Sequence, residues 1–134
     1  MNKDSGSLRQ FAERYTAAWC SQDPASVAAF FAPDGSLRVN DDDPAVGRDA
    51  ITNVAQGFMS DIPDMQVLMD GLDVDGDQAV YRWTLVGTNT GPGGSGRPVR
   101  ISGFEEWRIG PDGLIAESQG HIDREDYRRQ VEGR

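Results

Sequence analysis

The sequence predicts an α+β fold in which helices come first and an antiparallel sheet follows. Three observations lead there. Up to about Pro63, apolar residues recur at spacings of three and four, which is the period of a helix face. Beyond Pro63 they alternate with polar ones, which is the period of a half-buried strand. Two turn motifs, Asp75-Gly76-Asp77 and "GPDG" at 110–113, each fall between two alternating runs and so mark hairpins.

The elements follow in order. "SLRQ" has the Ser-x-x-Gln form of a capping box with Ser7 as the cap. Behind it Leu8, Phe11, Ala12, Tyr15, Ala18 and Trp19 lie on one face of a helix that runs to about residue 21. Asp23 followed by Pro24 reads as a cap and a first helical position. The short helix they open carries Val27, Phe30 and Phe31 on its apolar side, and "PDG" ends it. "SLRVN" is a short strand and "DDDP" a turn. A third helix begins near Arg48, with Ile51, Val54, Ala55, Phe58 and Met59 in register, and Pro63 stops it. "MQVLMDGLDV" and "QAVYRWTLVGT" form the first hairpin, and "VRISGFEEWRI" and "LIAESQGHI" the second. "DREDYRRQVEG" closes the chain as a helical turn or two.

Length and charge narrow the function. A chain of 134 residues suits one domain spanning 1–134, with a core from about 8 to 130. The formal charge of −9 repels phosphate backbones and anionic lipid, so neither nucleic acid nor membrane is an expected partner. A single cysteine, Cys20, excludes an internal disulfide and any multi-cysteine metal site, and an inert thiol beside the first helix's apolar stripe is expected. "DDD" at 41–43 lacks the spacing, glycine and distal glutamate of a calcium loop and reads as a solvated turn. With one histidine in the chain, no catalytic transition metal is expected. The polar N-terminus "MNKDSGS" precedes no apolar run, which points to a cytoplasmic protein without signal peptide or membrane span.

Turn chemistry gives a first register for the sheet. If Gly113 takes the left-handed position of a three-residue loop, Gly110 faces Leu114. Counting back, Glu105 then faces Gln119, Gly103 faces His121, and Ile101 faces Asp123. If Thr88 faces Val99, then Arg82 faces Glu105. One face so defined mixes apolar groups with Arg82, Glu105, Trp107, Gln119, His121 and Asp123, as a ligand cavity would. The other carries Tyr81, Trp83 and Phe104 ringed by charge, as a dimer interface would. A shift of one residue reverses the faces and puts Tyr81 and Trp83 inside.

On that register His121 is the candidate proton carrier, since its ordinary pKa of about 6.5 lies near neutrality. Asp123, two residues on, would hold the imidazole's tautomer; the plainer alternative is a histidine merely satisfied by a carboxylate. Arg82 and Glu105 form either a pocket salt bridge or an ordinary cross-strand pair. The Gly- and Pro-rich loop "NTGPGGSGRP" is the candidate rim or lid.

The ordered series "YTAAW", "FFAPDG", "GRDAI", "DIPDMQV", "DVDGDQAVYRWTLVGTNTG" and "PDGLIAESQGHIDREDYRRQ" resembles the SnoaL-like polyketide cyclases of the nuclear transport factor two superfamily. The resemblance implies a cone-shaped curved antiparallel sheet with N-terminal helices packed on its concave face. It implies a pocket for an apolar, oxygenated small molecule, closed by the first helix, so that Tyr15 and Trp19 join the lining. It also implies an aldol cyclisation, isomerisation or dehydration that uses an acidic side chain of the last strands and no cofactor or metal. In that pattern Asp123 matches the aspartate ending the last strand, with His121 beside it. The chain departs from many relatives at Gln119, where they have Trp, and at Gly120. Thr84 stands where the related limonene epoxide hydrolases have the aspartate of an Arg-x-Asp, which argues against their mechanism. A homodimer through the sheet completes the expectation, and a non-catalytic binding or dimerisation module is the rival reading.

Overall fold

The computed structural model describes residues 5 to 133 of the chain. Residues 1–4 of the "MNKDSGS" segment, on which the expectation about a signal peptide partly rests, lie outside the described residues. The elements are α1 (Ser5–Cys20), α2 (Pro24–Ala28), β1 (Phe31–Val39), β2 (Ala45–Val46), α3 (Arg48–Asp61), β3 (Gln66–Asp75), β4 (Gln78–Thr88), β5 (Pro98–Ile109), β6 (Ile115–Ile122) and α4 (Arg124–Glu132). Six strands form one curved, unclosed sheet in the order β2-β1-β6-β5-β4-β3. The meander from β3 to β6 is antiparallel as expected, and β1 joins it parallel to β6.

The helices fill the hollow of this sheet because their apolar stripes face it. Leu8, Phe11, Ala12, Tyr15, Ala18 and Trp19 of α1 are all buried, as are Ile51, Ala55 and Met59 of α3. Each large side chain so buried stabilises by about 1.5–3 kcal/mol. The end of α1 is fixed to the edge strand β3. The Val67 N–H donates to Cys20 Sγ at 3.2 Å, and Gln22 Nε2 donates to the Met65 carbonyl at 3.2 Å, which occupies edge groups that β4 cannot reach. Two boundaries differ from expectation. Ser7 lies within α1, which is described from Ser5 onward, rather than ahead of it, and "PDG" at 33–35 is part of β1 rather than a break before it.

The turn between β5 and β6 forms as its residues predict. Gly113 has φ +79°, its N–H donates to the Gly110 carbonyl at 3.0 Å, and Gly110 N–H donates to the Leu114 carbonyl at 2.9 Å. Ile109 then faces Ile115, but the next pair is Arg108 with Glu117, so Ala116 is a bulge residue with no partner. From there the register is displaced by one: Trp107 faces Ser118, Glu105 faces Gly120, and Phe104 faces His121. A second displacement of one occurs between β4 and β5, where Thr88 pairs with Pro98 rather than Val99. Arg82 therefore faces Phe104, and Tyr81 faces Glu105.

Each displacement turns a strand over. Strand β5 presents the expected face to the helices, with Ile101, Glu105 and Trp107 buried, whereas β4 and β6 are reversed. Tyr81, Trp83 and Leu85 point inward together with Ser118, Gly120 and Ile122. Arg82, Gln119 and His121 point outward.

Past Ile122 the chain leaves the sheet, so the first part of β5 has no strand beside it there. Gln130 of α4 takes that place: Arg100 N–H donates to Gln130 Oε1 at 2.6 Å, and Gln130 Nε2 donates to the Arg100 carbonyl at 2.8 Å. The glycine-rich loop is drawn together by buried Asn89, whose side-chain oxygen accepts from the Ser95 N–H at 3.0 Å. Among the described residues no helix is long and apolar enough to cross a membrane.

Candidate functional site

Glu105 is a buried carboxylate on the inner face of β5. Three side chains donate to it. Tyr15 of α1 reaches Oε1 and Oε2 at 3.0 and 3.1 Å, Trp107 Nε1 reaches Oε1 at 2.9 Å, and Ser118 Oγ reaches Oε1 at 2.8 Å. Oε1 thus accepts from all three, while Oε2 shares only the Tyr15 hydroxyl and keeps lone pairs to spare. Burial pushes the Glu105 carboxyl above its usual range, and the hydrogen bonds from Trp107, Ser118 and Tyr15 pull part of the way back. Burial pushes the Tyr15 phenol well up too, and the neighbouring Glu105 charge adds to that, so Tyr15 holds its proton.

An aromatic cluster fixes this group in place. Tyr81 stacks on Trp107 with ring centroids 4.9 Å apart, and Tyr15 meets both rings edge-on at 5.5 and 5.2 Å. Thr16 Oγ1 donates to the Ala12 carbonyl at 2.8 Å, so the 2.5 Å contact between Thr16 and Tyr81 uses the Tyr81 proton. Trp19 stands edge-on to Tyr15 and to Phe58 of α3, at 6.3 and 6.0 Å.

Above Glu105 opens a narrow cavity of about 60 Å³. Its walls are Trp19, Val54 and Phe58 from the helices, and Leu37, Val67, Tyr81, Trp83 and Ile122 from the sheet, with Glu105 the one carboxylate among the described residues. Two glycines shape the space around that carboxylate. The Trp83 ring occupies the room that a side chain at Gly103 would need, since a Cβ there would lie 2.5 Å from Trp83 Cζ2. Gly120, the cross-strand partner of Glu105, places no side chain beside the carboxylate and lines the cavity, though a Cβ there would lie 3.3 Å from the Arg38 carbonyl oxygen.

Of the residues singled out in the sequence, Tyr15, Trp19, Glu105 and Trp107 gather at this site. The other four do not. His121 borders the cavity along β6, but its ring stacks on Phe104 at 4.3 Å and its Nε2 lies 2.7 Å from Glu106 Oε1, on the outer face. Asp123 caps α4, accepting from the Asp126 N–H at 3.0 Å, so the expected His121–Asp123 pair does not form. Arg82 pairs with Asp73 at 2.5 Å rather than with Glu105, and Gln119 donates to the carbonyls of Asn40 and Gly120. For Arg82, Gln119 and His121 the cause is the one-residue displacement that turned β4 and β6 over, whereas Asp123 lies past the end of β6, where the chain has left the sheet for α4. Ser118 and Gly120 join the site without having been singled out for it in the sequence, and Tyr81 and Trp83 enter it as the alternative register had them, inside the sheet. The glycine-rich loop contributes no residue to the cavity wall, so its expected place at the rim is not observed. In the "DDD" turn, Asp42 pairs with Arg124, whose hydrogen bond holds the Asp42 carboxyl below its usual range.

The SnoaL-like polyketide cyclase family model matches residues 9–131. The chain belongs to this family. No curated protein matches it by sequence. Among solved structures, this SnoaL-like chain is similar to TsrD from Streptomyces laurentii at 28% identity, with 97% of this chain and 98% of that one covered and a TM-score of 0.84. It shares its fold with a hypothetical protein of ketosteroid isomerase-like fold from Catenulispora acidiphila solved in complex with trimethylamine, at 18% identity, 92% coverage of both chains and a TM-score of 0.81. An NTF2-like protein of unknown function from Burkholderia pseudomallei also matches, at 20% identity, covering 92% of this chain and 95% of that one, with a TM-score of 0.78. In this SnoaL-like chain, the helices and the concave sheet face together enclose one carboxylate among apolar walls.

Proposed function

We propose that this SnoaL-like protein transfers protons on a small, apolar, oxygenated molecule, with Glu105 as the general acid/base. The observation that carries the reading is a buried carboxylate, held by three donors, at the floor of an otherwise apolar pocket. Aldol cyclisation, isomerisation and dehydration each need a proton taken from carbon and a proton given back. One carboxylate whose pKa burial raises can do both. Tyr15, Trp107 and Ser118 are positioning residues: they fix the carboxyl plane and engage Oε1, which leaves Oε2 for the reacting proton. The apolar walls exclude water and strengthen every interaction at the floor.

Proton abstraction can be tested without knowing the natural substrate. In D2O, a panel of small cyclic ketones should exchange deuterium at the α-carbon with the protein present and not with Glu105→Gln. A pocket that retains a co-purified ligand in native mass spectrometry, yet exchanges nothing, would instead favour the non-catalytic binding module. The same proposal includes a homodimer through the outer sheet face. Leu68, 48% exposed, and Phe104, 37% exposed, support it; Tyr81 and Trp83, first expected there, are inside. Sedimentation at high micromolar concentration tests it, and a monomer would count against it.

A further inference from the structure

We propose that the pocket takes a ligand carrying a basic nitrogen, bound as its cation against Glu105. The inference rests on the reading of Glu105 as the working group of this pocket and adds the chemical class of what meets it.

The first ground is a missing counter-charge. A buried carboxylate is normally paired with a cation, since neutral donors offset only part of its lost hydration. Among the described residues the partners of Glu105 are Tyr15, Trp107 and Ser118, all neutral. Among the described residues no Lys or Arg lines the cavity. His121 borders it, but its imidazole is held on the outer face by Glu106 and Phe104. The ion pairs among the described residues lie on the solvated surface, as Arg82–Asp73 and Arg108–Glu117 do.

The second ground is what the walls offer. Trp19, Phe58, Tyr81 and Trp83 turn aromatic surface toward a cavity whose floor is a carboxylate. Aromatic faces attract cations through the ring quadrupole, most strongly when water is excluded. The third ground is donor supply. At the floor, Tyr15, Trp107 and Ser118 already donate to Glu105, and Tyr81 donates to Thr16. A carbonyl oxygen arriving beside ionised Glu105 would find these donors engaged, whereas an ammonium would find lone pairs to spare on Oε2, which accepts only from the Tyr15 hydroxyl. The formal charge of −9 acts in the same sense, concentrating cations around the protein and repelling anions.

The test compares probes of one shape and different charge by calorimetry at pH 8: cyclopentylamine, cyclopentanol and cyclopentanecarboxylate. Cyclopentylamine should bind at least about tenfold more tightly than cyclopentanol, and the carboxylate should not bind. The preference should vanish in Glu105→Gln. With the amine bound, the carboxyl ¹³C resonance of Glu105 should titrate at lower pH than in the free protein. Equal binding of amine and alcohol, or an amine preference that survives in Glu105→Gln, would overturn the inference. If ketone exchange still depends on Glu105 in that case, the proton-transfer reading stands and the nitrogen alone is ruled out. If neither exchange nor binding depends on Glu105, both readings fall together.

Discussion

Glu105 and Gly120 face each other across β5 and β6, so the buried carboxylate sits opposite a residue that has no side chain to cover it. A Cβ at position 120 would lie 3.9 Å from Glu105 Cγ and 3.3 Å from the Arg38 carbonyl oxygen. The backbone of Gly120 does not have positive φ, so a side chain there is limited by space rather than by conformation. Gly120→Val should fill the cavity beside the carboxylate. The expected result is ketone exchange slowed by roughly tenfold or more, with a loss of about 1–3 kcal/mol in stability from overpacking. Exchange kinetics and urea unfolding measure the two effects separately, and an unchanged rate would mean that ligands reach Glu105 from another side.

Removing the carboxylate itself should do more. Glu105→Gln keeps size and shape but cannot take a proton, so exchange should fall by roughly 10²- to 10⁴-fold, the usual range for a positioned acid/base. His121→Ala is the matched control, because that ring is on the outer face with Phe104 and Glu106. Its exchange rate should stay near that of the wild type. A large loss in His121→Ala with little loss in Glu105→Gln would reverse the assignment.

The pH dependence has a definite sign. Burial raises the Glu105 pKa in the folded protein above its unfolded value, so the native state holds this proton more tightly. Stability from this source is fully present below the ordinary glutamate range and is lost as pH rises through the raised folded value. Base activity should move the opposite way, rising with pH through that same value. Urea midpoints across pH 4 to 8, in wild type and Glu105→Gln, should differ in slope within this window. Parallel curves would show that Glu105 titrates normally.

Tyr15→Phe leaves the aromatic contacts and removes one hydroxyl. That hydroxyl donates to both oxygens of Glu105, so the buried acceptor loses a partner at a cost of about 1–3 kcal/mol. Because the lost bond stabilised the charged form, the pH inflection of activity should move further up. Ser118→Ala should shift it in the same direction through the lost 2.8 Å bond. A drop in thermal stability without movement of the inflection would assign these groups to packing alone.

The helices and hairpins were legible because each depends on local chemistry. The apolar stripe from Leu8 to Trp19, Pro24 at a helix start and Gly113 in its left-handed turn all form as their residues predict. The faces of β5 were legible too, since Glu105 and Trp107 lie inside as expected. What failed was the count across the gaps. Nothing about Ala116 marks it as a bulge, because alanine fits a regular strand as readily as a bulged one. The long loop after Thr88 leaves the pairing of Val99 or Pro98 to tertiary contacts. An error of one residue at each place exchanged His121 for Gly120 and Arg82 for Tyr81. The aromatic weight of Tyr81 and Trp83 was the available signal, since side chains of that size are more stable inside than on a sheet's outer face.

The pairing of Gln130 with Arg100 has a consequence for how the protein fails. A single side-chain amide stands in for the missing strand beside the start of β5, and it is carried by a terminal helix with no fully buried residue. Such helices open at small free-energy cost, well below that of global unfolding. Each opening uncovers Arg100's N–H and C=O on a strand whose neighbouring ladder is intact. That is a ready template for an extended segment of another chain. By covering these two groups, Gln130 of α4 shields the start of β5 from pairing with another chain.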